Sequence, residues 1–195
     1  MAKKTLYIAY GSNINLGQMA YRCPTAERVS TGFVENYELE FRRVANIVPK
    51  QDSKVPVLVW ELKPEDEKNL DRYEGFPHMY RKETIPVKIG DKEFNGMVYI
   101  MNYGEPQPPP RDYYQGIAEG YEANGMDTAP LREAWYRAYD QYTTRVMQSS
   151  RDVSEDYDYG EDEDEDEDYD YDEDEDYDYD EDEEPDITES QSQEM

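Results

Sequence analysis

Residues 5–10, TLYIAY, are a short apolar and aromatic run that reads as a buried strand. The run stops at Gly11-Ser12-Asn13. Asn15 then stands where it can cap a short helix over Leu16 to Arg22, with Pro24 just beyond that helix. The stretch ERVSTGFVENYELEFRR predicts two strands with a turn near Glu35-Asn36. ANIVPK and KVPVLVWEL predict two more, joined through the polar Gln51-Asp52-Ser53.

The pattern changes at KPEDEKNLDRYEGF. Pro64 suits a first helical position, and Glu65, Asp66 and Glu67 suit the positive end of a helix dipole, as a solvated acidic face. Leu70 and Tyr73 can share one face, and Gly75 is the natural stop, so a short helix ends at Glu74. MYRKETIPVKI and KEFNGMVYIMN return to strand pattern, separated by Gly90-Asp91. GEPQPPP, residues 104–110, is a stiff connector. After it, Tyr114, Ile117 and Tyr121 fall at helical spacing with Gly125 as a stop, and Leu131, Trp135, Ala138 and Tyr142 form a second stripe. The expected class is α+β: six or seven strands, two short helices and a two-helix C-terminal segment. Strands adjacent in sequence favour antiparallel pairing, closing into a small barrel-like sheet.

Charge divides the chain in two. The formal net charge is −28, but residues 152–195 hold 27 of the 48 acidic residues and none of the 20 Lys and Arg. Residues 1–151 are therefore nearly neutral and long enough for one domain with a real core. The remainder repeats Asp-Tyr-Asp-Tyr at 156–159, 168–171 and 176–179 and has almost no aliphatic residues. Such a segment cannot bury enough apolar surface to offset ordering, so a disordered Asp/Glu/Tyr-rich tail is expected, with basic proteins as candidate partners. Nucleic acid is an unsuitable partner for a neutral body and a polyanionic tail. The run from Leu6 to Tyr10 is too short for a membrane span or a signal-peptide core, so a soluble cytoplasmic protein is the default expectation.

One Cys and one His exclude an internal disulfide and a Cys/His zinc site. Cys23 reads as a small buried residue and His78 as a surface one, rather than as a catalytic pair. Glu74 carries more chemistry. At a helix C-terminus the dipole disfavours its negative charge, which raises its pKa and makes it a better base near neutral pH. Gly11-Ser12-Asn13 is either an ordinary tight turn or a loop whose backbone must approach a ligand; small residues permit both.

Taken together, YIAYGSN and LDRYEGFPHMYRKETIPV resemble the γ-glutamylcyclotransferase family and its AIG2-like relatives. RCP after the first helix, MVYIMN in a late strand and YYQGIAEGYEANG near the end extend the resemblance over most of residues 5–145. One departure is Pro56-Val57, where the family often has Trp-Gly. The acidic tail is outside the family pattern. The resemblance implies release of a γ-glutamyl group from a small molecule as 5-oxoproline, by attack of the substrate's own α-amine on its γ-carbonyl, with no metal or organic cofactor. It implies Glu74 as the acid–base residue. Backbone N–H groups of Tyr10, Gly11, Ser12 and Asn13 become candidates for holding carboxylate or oxyanion, and Tyr7 and Tyr99 become pocket residues; Tyr80 is as readily a core aromatic. A non-catalytic binding domain on the same scaffold, with the tail recruiting basic proteins, is the alternative, against which the intact Glu74 and Tyr-Gly-Ser-Asn argue.

Overall fold

The computed structural model describes residues 4–155. Five strands form a closed barrel in the order β1-β3-β2-β4-β5. They are β1 (Thr5–Ala9), β2 (Glu27–Arg42), β3 (Val44–Leu62), β4 (Tyr80–Ile89) and β5 (Lys92–Met101). Neighbours in the order pair antiparallel, and the barrel closes through a parallel contact between β1 and β5 at Tyr7 and Met97. The core, on both faces of the sheet, is apolar: Ile8, Phe41, Ile47, Leu58 and Val98 are fully enclosed. Four helices lie outside: α1 (Leu16–Arg22), α2 (Pro64–Tyr73), α3 (Arg111–Ala123) and α4 (Ala129–Glu155). Among the described residues no helix is long and apolar enough to cross a membrane. Of the tail expected from residue 152, residues 152–155 continue α4 instead, and the rest lies outside the described residues.

Five long strands replace the six or seven expected. The polar stretches near Asn36 and Asp52 are not turns between strands. They face each other within one hairpin, where Asn36 opposes residues 50–53 and pairing resumes on both sides, Glu35 with Lys54 and Tyr37 with Pro49. Asn36 and Asp52 both take left-handed backbone conformations, φ 58° and 61°, and the Asp52 N–H donates to Asn36 Oδ1 at 3.3 Å. Asn and Asp tolerate that region, so the chain absorbs extra residues as a bulge without leaving the sheet. The reversal between β2 and β3 occurs at Arg43, φ 67°.

Helix limits follow local chemistry closely. Asn15 Oδ1 accepts the Gln18 N–H at 3.1 Å and starts α1 at Leu16. Pro64 opens α2, but Asp66 departs from expectation. It is not part of a solvated face but almost fully buried. Its carboxylate accepts the Lys63 N–H at 3.1 Å and the Thr25 hydroxyl at 2.7 Å, tying the start of α2 to the segment after α1. At the other end, Gly75 (φ 63°) lets the Phe76 N–H reach the Asp71 carbonyl at 2.9 Å, a Schellman closure. Glu74 is the residue held at the cap of that closure, and its N–H bonds the Leu70 carbonyl at 2.8 Å.

The helices brace the loop after β1. A single 3-10 turn, Ser12–Ile14, joins β1 to α1. On α3, Gly120 lies so close to this turn that a Cβ there would sit 2.8 Å from the Asn15 nitrogen. Asn15 Nδ2 donates to the Gly116 carbonyl at 3.0 Å, and Asn124 Nδ2 to the Ile14 carbonyl at 3.2 Å. The stripe expected on α4 is only partly used. Leu131 and Ala138 are buried, Trp135 is half-buried and stacks on Tyr139, and Tyr142 is exposed.

Candidate active site

A cavity of about 220 Å³ opens where β1 runs into its loop and α2 ends. All seven residues singled out above line it: Tyr7, Tyr10, Gly11, Ser12, Asn13, Glu74 and Tyr99. Tyr7 comes from β1, Tyr10 to Asn13 from the following loop, Tyr99 from β5 and Glu74 from the cap of α2. Tyr80 of β4 lines it as well, with its hydroxyl on the Ala45 carbonyl at 3.2 Å.

Asn13 is the central side chain. It is buried, and its Nδ2 donates to Glu74 Oε1 at 2.9 Å and to the Tyr7 hydroxyl at 2.8 Å. The Asn13 carbonyl accepts the Trp60 indole N–H at 3.1 Å, which pins the turn to β3. Burial pushes the Glu74 carboxyl up to about 7, while the Asn13 hydrogen bond and the Arg22 charge pull in the opposite direction. A raised pKa follows, as expected for Glu74, but its leading cause is loss of solvation rather than the helix end.

The aromatic walls are locked by their own hydroxyls. Tyr10 OH donates to the Tyr99 carbonyl at 2.6 Å, and Tyr99 OH donates to Asp71 Oδ1 at 2.7 Å. Lys82 holds Asp71 at 2.7 Å and Glu67 at 2.6 Å. Tyr7 packs edge-on against Tyr99 with ring centres 5.8 Å apart. Burial raises the phenol pKa of Tyr7, Tyr10, Tyr80 and Tyr99 well above the usual range, so these walls stay neutral. Tyr113 of α3 closes one side, its hydroxyl accepting the Ala45 N–H at 3.1 Å. Tyr73 and Met79, about half exposed, stand at the mouth.

Gly11 has extended-side geometry (φ −111°), so no left-handed conformation demands glycine. Its role is close packing: a Cβ would lie 3.1 Å from Ala45 Cβ and 3.4 Å from the Tyr113 hydroxyl. The turn's carbonyls are occupied, Gly11 O by the Ile14 N–H and Ser12 O by the Asn15 N–H. Its N–H groups belong to a first turn, where intrahelical partners are lacking. The Ser12 hydroxyl lies 3.3 Å from Tyr73 OH and accepts from Arg22 at 3.0 Å.

Three supporting residues were not picked out by sequence reasoning: Arg22, Asp71 and Lys82. All three stand inside the quoted motifs RCP and LDRYEGFPHMYRKETIPV, but nothing local marks their partners. Cys23 is buried, its thiol on the Asp66 carbonyl at 3.4 Å and its pKa pushed up to about 12 by burial, whereas His78 is exposed. They are an inert core thiol and a surface imidazole. Pro56 and Val57 sit in the middle of β3, paired with Phe33 and Gly32, and neither lines the cavity. Among the described residues no group of three or more His, Cys, Asp or Glu could hold a metal ion.

A family model described as gamma-glutamyl cyclotransferase, AIG2-like, matches residues 7–121, and the chain belongs to that family. The chain is 26% identical over 164 residues to a gamma-glutamylcyclotransferase of Homo sapiens, covering 76% of this chain and 86% of that one. It is 27% identical over 162 residues to the Bos taurus gamma-glutamylcyclotransferase, with the same coverage. A solved structure of a gamma-glutamyl cyclotransferase shares the fold with a TM-score of 0.63 at 24% identity, over 68% of this chain and 86% of the other.

Proposed function

We propose that this chain is a cyclotransferase that releases 5-oxoproline from a small γ-glutamyl compound. The observation that carries this reading is Glu74: a carboxyl in a tyrosine-walled cavity, held by Asn13 at 2.9 Å, with its pKa pushed up to about 7. A group poised there can both accept and return a proton at neutral pH.

In the reaction, Glu74 takes a proton from the substrate α-ammonium. The freed amine attacks the γ-carbonyl carbon, a C–N bond forms, and the carbonyl oxygen takes the negative charge. Collapse of this tetrahedral species breaks the bond to the original γ-nitrogen, which leaves with the proton returned by Glu74; the attacking nitrogen's second proton also passes to it, so the products are the 5-oxoproline lactam and an ammonium. Both reacting groups belong to one molecule, so holding the glutamyl chain in its cyclising shape contributes much of the acceleration, roughly 7–11 kcal/mol for well-oriented cases. The cavity volume of about 220 Å³ suits a compact substrate. Backbone N–H groups of Tyr10 to Asn13 are the donors for the glutamyl carboxylate and the oxyanion. Tyr7 and Tyr99 shape the wall against which the chain folds.

The test is 5-oxoproline release from γ-glutamyl dipeptides, γ-glutamylamines and glutathione-like tripeptides, with the intact protein and its Glu74→Gln variant. Release that depends on Glu74 supports the reading. No release from any of these by a well-folded protein overturns it.

A further inference from the structure

Arg22 is the last residue of α1, nine positions after Asn13, and it is half-buried beside the cavity without lining it. Its guanidinium makes three hydrogen bonds. NH1 donates to Asn13 Oδ1 at 2.6 Å and to Ser12 Oγ at 3.0 Å, and NH2 donates to Gln18 Oε1 at 2.7 Å. Its face lies over the Tyr73 ring, 3.7 Å from the centroid. One side chain thus joins α1, the 3-10 turn and the end of α2, immediately before Glu74.

We propose that Arg22 is a positioning residue for the acid–base site: its guanidinium dictates which end of the Asn13 amide faces Glu74. This rests on Glu74 being the base. Arg has five N–H donors and no acceptor, so the atom of Asn13 that meets it must be Oδ1. Turning the amide over would set N–H against N–H. With Oδ1 so held, both Nδ2 hydrogens point the other way, one to the Tyr7 hydroxyl and one to Glu74 Oε1. A donor aimed at Glu74 matches its carboxylate, the form that takes the proton.

Without Arg22 this constraint is gone. An inverted Asn13 presents Oδ1 to Glu74, which suits the protonated carboxyl, itself a donor. Loss of the guanidinium charge acts in the same direction, since Arg22 and the Asn13 bond are the two influences that hold the Glu74 pKa down against burial. The other titratable groups around Glu74 are phenols: Tyr7 of β1, Tyr10 of its loop, Tyr73 of α2, Tyr80 of β4, Tyr99 of β5 and Tyr113 of α3. Among the described residues around the cavity, Arg22 is the charged group that reaches Glu74 from outside α2.

The experiment is a 13C-NMR titration of the intact protein labelled at the Glu side-chain carboxyl, with the Glu74 signal identified by its loss in Glu74→Gln. In Arg22→Met the Glu74 midpoint should rise by about one pH unit. In Arg22→Lys, which keeps a charge and a donor, it should move by less than about half a unit. Activity should follow: at pH 7, Arg22→Met should lose about fivefold in kcat with little change in KM, and recover as pH rises. A folded Arg22→Met with the wild-type midpoint overturns the proposal. If circular dichroism shows that Arg22→Met does not fold, Arg22→Gln replaces it, with the same expected direction and the same overturning result. The titration reads Glu74 without substrate, so a protein that releases no 5-oxoproline would sink the cyclotransferase reading while leaving Arg22 tested.

Discussion

Asn13 and Glu74, 61 residues apart, meet through a 2.9 Å hydrogen bond from Nδ2 to Oε1 at the wall of the cavity. Asn13 ends the first strand's loop and Glu74 caps the helix after the third strand. Closure of the barrel brings them together, and it also removes the water that would otherwise keep Glu74 an ordinary carboxylate.

Replacing Glu74 by Gln should preserve the fold, because Gln Oε1 can still accept from Asn13. Turnover should fall by at least about 10²-fold, the low end for a lost acid–base group. Steady-state 5-oxoproline release checks this, with substrate binding expected to survive better than kcat. Comparable turnover in the folded variant would remove Glu74 as the base.

Stability should also depend on Glu74 and pH. Its native pKa of about 7 lies above the ordinary 4.5, so the folded state holds this proton more tightly than the unfolded chain does. The wild type should therefore lose stability relative to Glu74→Gln as pH rises from about 4.5 to about 7, and the gap should stay constant above that. Its size should be about 1–3 kcal/mol, allowing for the partial solvent exposure of the site. Urea unfolding at pH 4 and pH 8 measures it; parallel behaviour of the two proteins at both pH values would contradict the raised pKa.

The 10–13 turn separates backbone from side-chain roles. Gly11→Val would press branched methyls toward Ala45 and Tyr113, where even a Cβ is 3.1 Å from Ala45. It should lose at least about 10²-fold in rate, as for a displaced oxyanion donor. Ser12→Ala removes one acceptor of Arg22 but leaves Asn13 and Gln18 to hold it, and should retain measurable release. Kinetics with circular dichroism on both variants decide it; a dead Ser12→Ala beside a normal Gly11→Val would show that the hydroxyl, not the backbone, is essential.

Two glycines should respond oppositely to alanine. At Gly120 the new Cβ meets the backbone of Ile14 and Asn15 at 2.8–2.9 Å, forcing α3 away from the turn that carries Asn13. That should cost about 1–3 kcal/mol and lower kcat/KM. At Gly17, exposed on α1, the closest atom to the new Cβ is Asn15 Oδ1 at an ordinary 3.5 Å, so alanine should be neutral or stabilising by up to about 1 kcal/mol. Thermal melts of the two variants distinguish them, and equal effects would argue against α3 as the brace.

Local signals were legible because each needs only a few neighbouring residues. Asn15 marked the start of α1, Pro64 that of α2, and Gly75 its end, since a cap, a fixed φ and a left-handed residue act within one turn. The same locality misled at Asn36 and Asp52: both were correctly read as bends, but a bend ends a strand only if no partner strand continues beside it, and here each has one.

The sequence alone therefore determined the helix limits, the strand-bearing segments and, through its motifs, the family and seven of the residues that line the cavity. Only the tertiary structure decided their electrostatics. The burial of Asp66, the desolvation of Glu74, the Lys82–Asp71–Tyr99 chain and the Arg22–Asn13 contact all depend on surfaces supplied by other elements. Solvation and hydrogen-bond orientation are properties of a closed environment, and that environment exists only once the barrel has brought the ends of β1 and α2 together.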